Sequence, residues 1–115
     1  MKAISIIIVT SDSGKYIESC LDSILSQDFK DYEIIVIDSG SKDNTIPIIK
    51  NRYSNIILIE NLENFGPCKA RNQGIDKTKG KFILCLDHDV KLLDNFLTSI
   101  YKAIESRDNI GAVGP

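Results

Sequence analysis

Short isoleucine-rich runs, alternating with longer segments of helical periodicity, constrain the fold of this chain more than any other feature. Isoleucine accounts for 20 of the 115 residues, and polar turn residues bound the runs in which it is concentrated. Such runs are typical of strands buried on both faces, as in a parallel sheet covered by helices. We predict strands at residues 4–9, 33–38, 56–60 and 81–86.

The segments between these runs carry apolar side chains at helical spacing. In residues 15–27 they stand at i, i+3, i+4, i+7 and i+8, which predicts an amphipathic helix capped by Asp12 or Ser13. Three more helices and the start of a fifth strand are predicted, at residues 43–53, 67–80, 93–106 and 112–113. This alternation implies right-handed crossovers and an α/β fold, a Rossmann-like three-layer open sheet that is mostly parallel. The pattern leaves the strand order open.

Composition narrows the class of protein. The chain is 43% hydrophobic and 26% charged, which is typical of a soluble globular domain, so we expect residues 1–115 to form one domain. Fourteen Lys and Arg residues against 16 Asp and Glu give a net charge of −2, with no basic block. Nucleic acid is therefore not an expected partner.

Cysteine usage and the length of the apolar runs bear on location. Cys20, Cys68 and Cys85 are an odd number without a CxxC pair, which favours a reducing cytosol over a disulfide framework or a zinc site. We expect Cys20 and Cys85 to be small core residues. No apolar run approaches the ~20 residues that span a bilayer, and the N-terminus lacks the features of a secretion signal. The expected location is cytoplasmic.

Acidic residues follow three of the four predicted strands. Ligands of open α/β sheets bind beyond the carboxyl ends of the strands, and carboxylates gathered there need a positive or hydrogen-bonding partner. Asp87 and Asp89 offer the hard oxygen ligands that Mg²⁺ or Mn²⁺ prefers, although any one of these acidic residues could equally be a turn residue. The three groups are Thr10-Ser11-Asp12, Asp38-Ser39-Gly40-Ser41 and Asp87-His88-Asp89.

Motifs of other nucleotide-binding classes are absent. Neither GxGxxG nor GxxxxGK[ST] occurs, which disfavours dinucleotide oxidoreductases and P-loop NTPases. Residues 64–67, which open the third predicted helix, could either present N–H groups to an anion or only start the helix. His88 is the only histidine in the chain, and it is more typical of a partly exposed polar residue than of a catalytic base.

Blocks of sequence over nearly the whole chain resemble family 2 glycosyltransferases, in that family's order. They are residues 5–10, 16–27, 32–45, 64–66, 70–75, 80–84 and 87–89, and the last resembles the family's DXD element. The resemblance implies a GT-A fold, truncated here to the N-terminal nucleotide-sugar-binding part of a bacterial-type enzyme. It also implies a UDP- or GDP-sugar donor, a divalent Mn or Mg ion, and inversion at the anomeric carbon. The acceptor, a glycan or a lipid-linked saccharide, stays open.

Positions that match the family's motifs suggest individual roles. By this resemblance Asp38 would hydrogen-bond the nucleotide base, Asp87 would serve the ribose and the metal, and Asp89 would bind the metal that bridges the diphosphate. The other residues expected in or near the nucleotide pocket are Thr10, Ser11, Asp12 and Arg71.

The chain departs from the family pattern at two places. Ser11 and Asp12 stand where the family has an aromatic residue followed by Asn. The family's acceptor half, which carries the general base, would follow Pro115, so we name no catalytic base and expect the chain alone to be poorly active or inactive. In full length we expect a protein peripheral to the inner face of the membrane. Apolar surface near residues 110–115 would favour a homo-oligomer.

Two other function classes stay open on the sequence. A phosphoacceptor receiver domain has a similar length and an acidic pocket, but it needs paired carboxylates after the first strand and an Asp after the third. Asp12 stands alone at the first position, Glu60 occupies the second, and the Lys of a fifth strand is missing. A non-catalytic relative that acts in protein interaction would fit the altered residues Ser11 and Asp12.

Overall fold

Four strands alternate with four helices in the computed structural model, which describes residues 2–106. The strands are β1 (Ile4–Thr10), β2 (Tyr32–Ser39), β3 (Ile57–Asn61) and β4 (Phe82–Asp87), and the helices are α1 (Ile17–Leu25), α2 (Thr45–Arg52), α3 (Pro67–Ile75) and α4 (Phe96–Glu105). The four predicted strands and four predicted helices are thereby confirmed. The fifth strand predicted at 112–113, and the apolar surface expected at 110–115, lie outside the described residues.

The strands form one parallel sheet in the order β3-β2-β1-β4. In β1, Ile6 pairs with Ile34 of β2 on one side and with Leu84 of β4 on the other. The chain builds outward from β1 to β3 and then returns past both inner strands to add β4. The strand order therefore reverses between β1 and β4, which is where open α/β sheets bind ligands.

Helices cover both faces of the sheet, which confirms the three-layer α/β prediction. Ile6 and Ile8 face the layer that holds α1, α2 and α4, in a core that includes Leu21, Ile49 and Leu97. Ile7, Ile35 and Ile37 face α3 through Ala70. Successive side chains along β1 and β2 thus point to opposite faces of the sheet, and helices bury both sets. At Gly74 of α3, an added Cβ would lie 2.6 Å from Ile37 Cδ1, so a glycine there lets the helix approach the sheet closely.

The prediction that all four strands are buried on both faces is wrong for β3 and β4. Both are edge strands, and Ile57 is 40% and Ile83 45% exposed. Cys85 lies on the same side of β4 as Ile83 and is exposed, so it is not a core residue as predicted. Cys20, on the buried face of α1, is a core residue as predicted. Among residues 2–106, the structure contains no helix with the length and apolarity that a bilayer span requires.

The first helix begins later than predicted, and neither Asp12 nor Ser13 caps it with a side chain. Its N-cap is Tyr16, which makes no side-chain cap hydrogen bond. The backbone carbonyl of Ser13 instead accepts hydrogen bonds from the N–H groups of Tyr16 and Ile17, both at 2.9 Å. Asp12 has a positive φ of 47°, and its carboxylate binds a different loop. Tertiary contacts have therefore replaced the local cap.

Candidate functional site

A cavity of about 210 Å³ opens at the carboxyl end of the sheet, where the strand order reverses between β1 and β4. The ends of β1, β2 and β4 form one part of its wall, and the loop before α3 together with the first turns of α3 forms the other. The lining residues are Ile7, Val9, Thr10, Ser11, Ser39, Asn64, Pro67, Arg71, Leu86, Asp87 and His88.

The structure brings four of the seven predicted site residues to this wall, namely Thr10, Ser11, Arg71 and Asp87. The other three do not line it. Asp38 is fully buried beside Thr10, Asp12 binds the loop that follows β2, and Asp89 is exposed in the turn after β4. The carboxyl edge of the sheet thus gathers the predicted residues in one region, but the cavity itself contacts only some of them.

The Asp38 carboxylate connects the end of β1 to the loop after β2. Its carboxylate accepts a hydrogen bond from Thr10 Oγ1 at 2.7 Å, one from Ser41 Oγ at 2.6 Å and one from the Ser41 N–H at 2.8 Å. Asp38 and Thr10 are 0% exposed, and the parallel register places them side by side at the ends of β2 and β1. Because a buried carboxylate is tolerated when donors surround it, Asp38 fixes both strand ends.

Backbone N–H groups of five residues bind the loop after β1 to the loop after β2. Asp12 Oδ1 accepts from the Lys42 N–H at 2.7 Å, and Ser41 Oγ accepts from the Asp12 N–H at 2.8 Å. Further along the loops, the Ser13 N–H donates to Thr45 Oγ1 and the Gly14 N–H to Asp43 Oδ2. Partial desolvation of the Asp43 carboxyl acts to raise its pKa, but hydrogen bonds from Thr45 and Gly14 outweigh it and lower the pKa.

Two lining residues that the sequence did not single out as binding residues carry buried polar atoms without partners. Within residues 2–106, Ser39 Oγ and His88 Nδ1 are buried and make no hydrogen bond. Ser39 ends β2, and His88 lies between the two acidic residues after β4 with its ring 6.0 Å from that of Tyr16. Because an unpaired buried polar atom costs about 1–3 kcal/mol, both atoms are candidates to bind a ligand. Their positions at strand ends were the available sequence signal.

Arg71 and the start of α3 close the opposite wall. Gly66, with φ of 91°, precedes Pro67 at the first helical position, and its N–H donates to Asn64 Oδ1 at 2.9 Å. Arg71 lies one turn further along α3 and lines the cavity with Asn64 and Pro67. Arg71 therefore brings a positive charge to the cavity that Asp87 also lines.

Asp87 and Asp89 fit a divalent cation by the chemistry of their side chains. Both are exposed carboxylates, neither forms an ion pair with another of the described residues, and Mg²⁺ and Mn²⁺ prefer such oxygen ligands. Over residues 2–106 no group of three or more His, Cys, Asp and Glu side chains is placed to hold a metal ion. A cation here would need oxygen atoms from water or from a ligand to complete its coordination.

Together, the parallel sheet, the reversal of strand order and the polar cavity at that reversal define an α/β ligand-binding domain of the doubly wound class. The chain belongs to the family described as Glycosyl transferase family 2, whose sequence model matches residues 5–115. This confirms the resemblance to family 2 glycosyltransferases found in the sequence.

Individual relatives agree with this assignment. Glycosyltransferase GlyG of Streptococcus pneumoniae serotype 4 is 31% identical over 114 residues, which cover 96% of this chain and 38% of that protein. Among solved structures, S. aureus TarS 1–349 in complex with UDP-GlcNAc superposes with a TM-score of 0.84 at 26% identity, over 97% of this chain and 37% of the other. The fold is thus the GT-A type expected.

A second solved structure is more distant. Mannosyltransferase PcManGT from Pyrobaculum calidifontis, in complex with GDP-Man and Mn²⁺, gives a TM-score of 0.69 at 26% identity, over 76% of this chain and 28% of the other. The present chain spans less than two fifths of the length of each of these three proteins.

Proposed function

We propose that residues 2–106 form the donor site of a glycosyltransferase and that the cavity between β1 and β4 receives the nucleotide of a UDP- or GDP-sugar. The observation that carries this proposal is that two residues of the cavity lining, Ser39 and His88, each hold a buried polar atom without a partner, Oγ and Nδ1 respectively. The same lining holds the positive charge of Arg71. Two solved relatives, bound to UDP-GlcNAc and to GDP-Man, support a nucleotide sugar as the class of ligand.

The size of the cavity indicates how much of the donor these residues would enclose. Its volume of about 210 Å³ is below the ~300–1,000 Å³ typical of small-molecule sites. The nucleoside would therefore occupy the enclosed part, and the diphosphate and sugar would extend along the edge that carries Asp87 and Asp89. Thr10 and Ser11 would contact the ligand from β1. Asp38, by holding Thr10 and Ser41, would shape the base-binding end.

A divalent Mn or Mg ion is the cofactor that the two exposed carboxylates suit. Asp87 and Asp89 would hold it, and the Mn²⁺ present in the PcManGT complex supports this proposal. When bound, the cation neutralises negative charge that develops on the departing diphosphate. Arg71 would add to the same stabilisation from α3.

The proposed reaction is a direct, inverting transfer. An acceptor hydroxyl of a glycan or a lipid-linked saccharide forms a bond to the anomeric carbon while the bond to the diphosphate breaks. The hydroxyl proton passes to a general base, and we assign no residue of this chain to that role. The contribution of residues 2–106 is to bind and orient the donor. A cytoplasmic location, peripheral to the membrane in full length, stays a prediction.

The receiver-domain alternative is not favoured by the topology. Receiver-like doubly wound sheets have the order 2-1-3-4-5, which places the third strand beside the first. Here β3 is at the sheet edge, separated from β1 by β2, so Glu60 is far from the acidic edge between β1 and β4. Incubation with acetyl phosphate followed by mass measurement would detect a receiver, and we expect no phosphate adduct. A non-catalytic relative would instead show no change in ligand affinity on Asp89→Ala.

A mapping experiment tests where the nucleotide binds. We expect UDP or GDP, added to the isotopically labelled chain, to shift the NMR signals of Ser39, Arg71 and His88. Signals from residues at the amino ends of the strands should stay unchanged. Arg71→Gln is expected to weaken nucleotide binding by about tenfold or more, because a hydrogen bond to a charged group contributes about 1.5–3 kcal/mol. The control Lys77→Gln changes an exposed lysine beyond the end of α3. Shifts confined to other surfaces, or equal losses in both variants, would contradict the assignment.

A further inference from the structure

The buried face of α1 carries polar side chains that reach the segment that begins at Asp87, the last residue of β4, and continues through Asp89 to the start of α4. Cys20, Ser23 and Gln27 stand at i, i+3 and i+7, so they share one face, and Gln27 continues that face just beyond the end of the helix at Leu25. The three residues are between 1% and 6% exposed. At 1.5 Å per residue they extend over about 10 Å. We refer to them as the α1 polar face.

Each member of the α1 polar face binds main-chain atoms of residues 87–97. Ser23 Oγ accepts from the Leu92 N–H at 3.0 Å. Gln27 uses both ends of its amide, since Nε2 donates to the Leu93 carbonyl at 2.8 Å and Oε1 accepts from the Leu97 N–H at 3.1 Å.

The contact nearest to the acidic pair comes from Cys20, whose Sγ donates to the Asp87 carbonyl at 3.8 Å. Burial, and after it the charge of Asp89, raise the pKa of the Cys20 thiol to about 11, so the thiol keeps its proton at neutral pH. The four hydrogen bonds begin at Asp87 itself and end at the first turn of α4.

These contacts matter because residues 88–95 have no helix or strand of their own. Main-chain N–H and carbonyl groups in such a segment need partners, and here buried side chains of α1 supply them. A polar side chain in a helix core costs free energy unless its hydrogen bonds are made. Ser23 and Gln27 have theirs satisfied by this segment, together with bonds to the carbonyls of Cys20 and Ser23 within α1.

We propose that Ser23 and Gln27 are positioning residues that fix the segment carrying Asp87 and Asp89, and so set the two carboxylates for a divalent cation. The inference rests on the proposed donor site. It assigns a part in metal binding to residues that lie on another element and touch neither the cation nor the nucleotide. By analogy with partners that orient metal ligands from outside the coordination sphere, loss of either residue should weaken metal binding by about tenfold or more.

A pair of variants of equal size isolates the hydroxyl of Ser23. Ser23→Thr keeps the acceptor for the Leu92 N–H, and Ser23→Val removes it while filling the same volume. Gln27→Met removes both amide contacts, and Ser19→Ala, at an exposed position of α1, is the control. Mn²⁺ affinity is measured by electron paramagnetic resonance in the presence of UDP and, separately, of GDP, at a temperature where circular dichroism shows every variant folded. Amide hydrogen exchange is measured in parallel on the metal-free chains.

We expect Ser23→Val and Gln27→Met to weaken Mn²⁺ binding about tenfold relative to Ser23→Thr and Ser19→Ala, and to speed exchange of the Leu92 and Leu97 amides respectively. Equal Mn²⁺ affinity in Ser23→Val and Ser23→Thr would overturn the inference, as would equal exchange at Leu92. Absence of Mn²⁺ binding in the unsubstituted chain would instead refute the proposed donor site. In that case the exchange comparison alone decides whether α1 fixes the segment.

Discussion

Removal of the Asp38 carboxylate is expected to destabilise the chain by about 2–4 kcal/mol. Asp38→Ala deprives Thr10 Oγ1 and both donors of Ser41 of their acceptor. Thr10 is 0% exposed, so its hydroxyl cannot turn to water, and an unsatisfied buried donor costs about 1–3 kcal/mol. The two donors of Ser41 are half-buried and recover part of their loss through solvation. Relief from burying a carboxylate offsets a further part.

Urea unfolding followed by circular dichroism measures this effect. With an m-value of about 1–3 kcal/mol per molar urea, the transition midpoint of Asp38→Ala should fall by about 1 M or more. Asp38→Asn keeps one acceptor oxygen and should lose less. Asp76→Ala, at an exposed position after α3, is the matched control and should stay within about 0.5 kcal/mol of the parent. A loss as small in Asp38→Ala as in Asp76→Ala would refute the bracing role of Asp38.

Two further changes test the structure around the site. Gly80→Ala would place a Cβ 2.5 Å from the backbone nitrogen of Ser5, so we expect a loss of about 2–3 kcal/mol in urea unfolding. An unchanged midpoint would contradict the close approach of Gly80, in the loop before β4, to β1. Because the pKa of Asp43 is lowered in the folded chain, its carboxylate stabilises the fold above its unfolded pKa of about 4, and this contribution is lost as pH falls through the folded pKa. Thermal unfolding should therefore show that Asp43→Asn loses less stability than the parent between about pH 5 and pH 3. Parallel plots of stability against pH for the two proteins would argue against the hydrogen bonds from Thr45 and Gly14 to the Asp43 carboxylate.

The strands and helices were predictable because their periodicity is local. In β1 and β2 the isoleucine runs are buried on both faces, and the run of apolar residues in α1 gives a helix whose buried side contains Cys20 and Leu21. The strand order was not predictable, because it depends on which face α3 crosses. The exposure of Cys85 follows from that order, since it is the position of β4 at the edge that leaves one of its faces uncovered.

The candidate site was predictable as a region but not in its contacts. Carboxyl ends of parallel strands meet at one edge, so the acidic groups after β1, β2 and β4 were expected to converge there. The sequence could not show that Asp12 would bind the Lys42 N–H across 30 positions instead of capping α1. Nor could it show that Ser39 Oγ and His88 Nδ1 would be left unpartnered, because that depends on packing around each atom.

Calorimetric titration of the chain with UDP and with GDP, with Mn²⁺ or with EDTA, tests the central claim most directly. The account predicts that one of the nucleotides binds and that Mn²⁺ strengthens its binding. Asp89→Ala should abolish the gain from Mn²⁺, and Asp76→Ala should retain it. Absence of binding by either nucleotide, or equal affinity in Mn²⁺ and in EDTA, would contradict the assignment of the cavity and of the two carboxylates after β4.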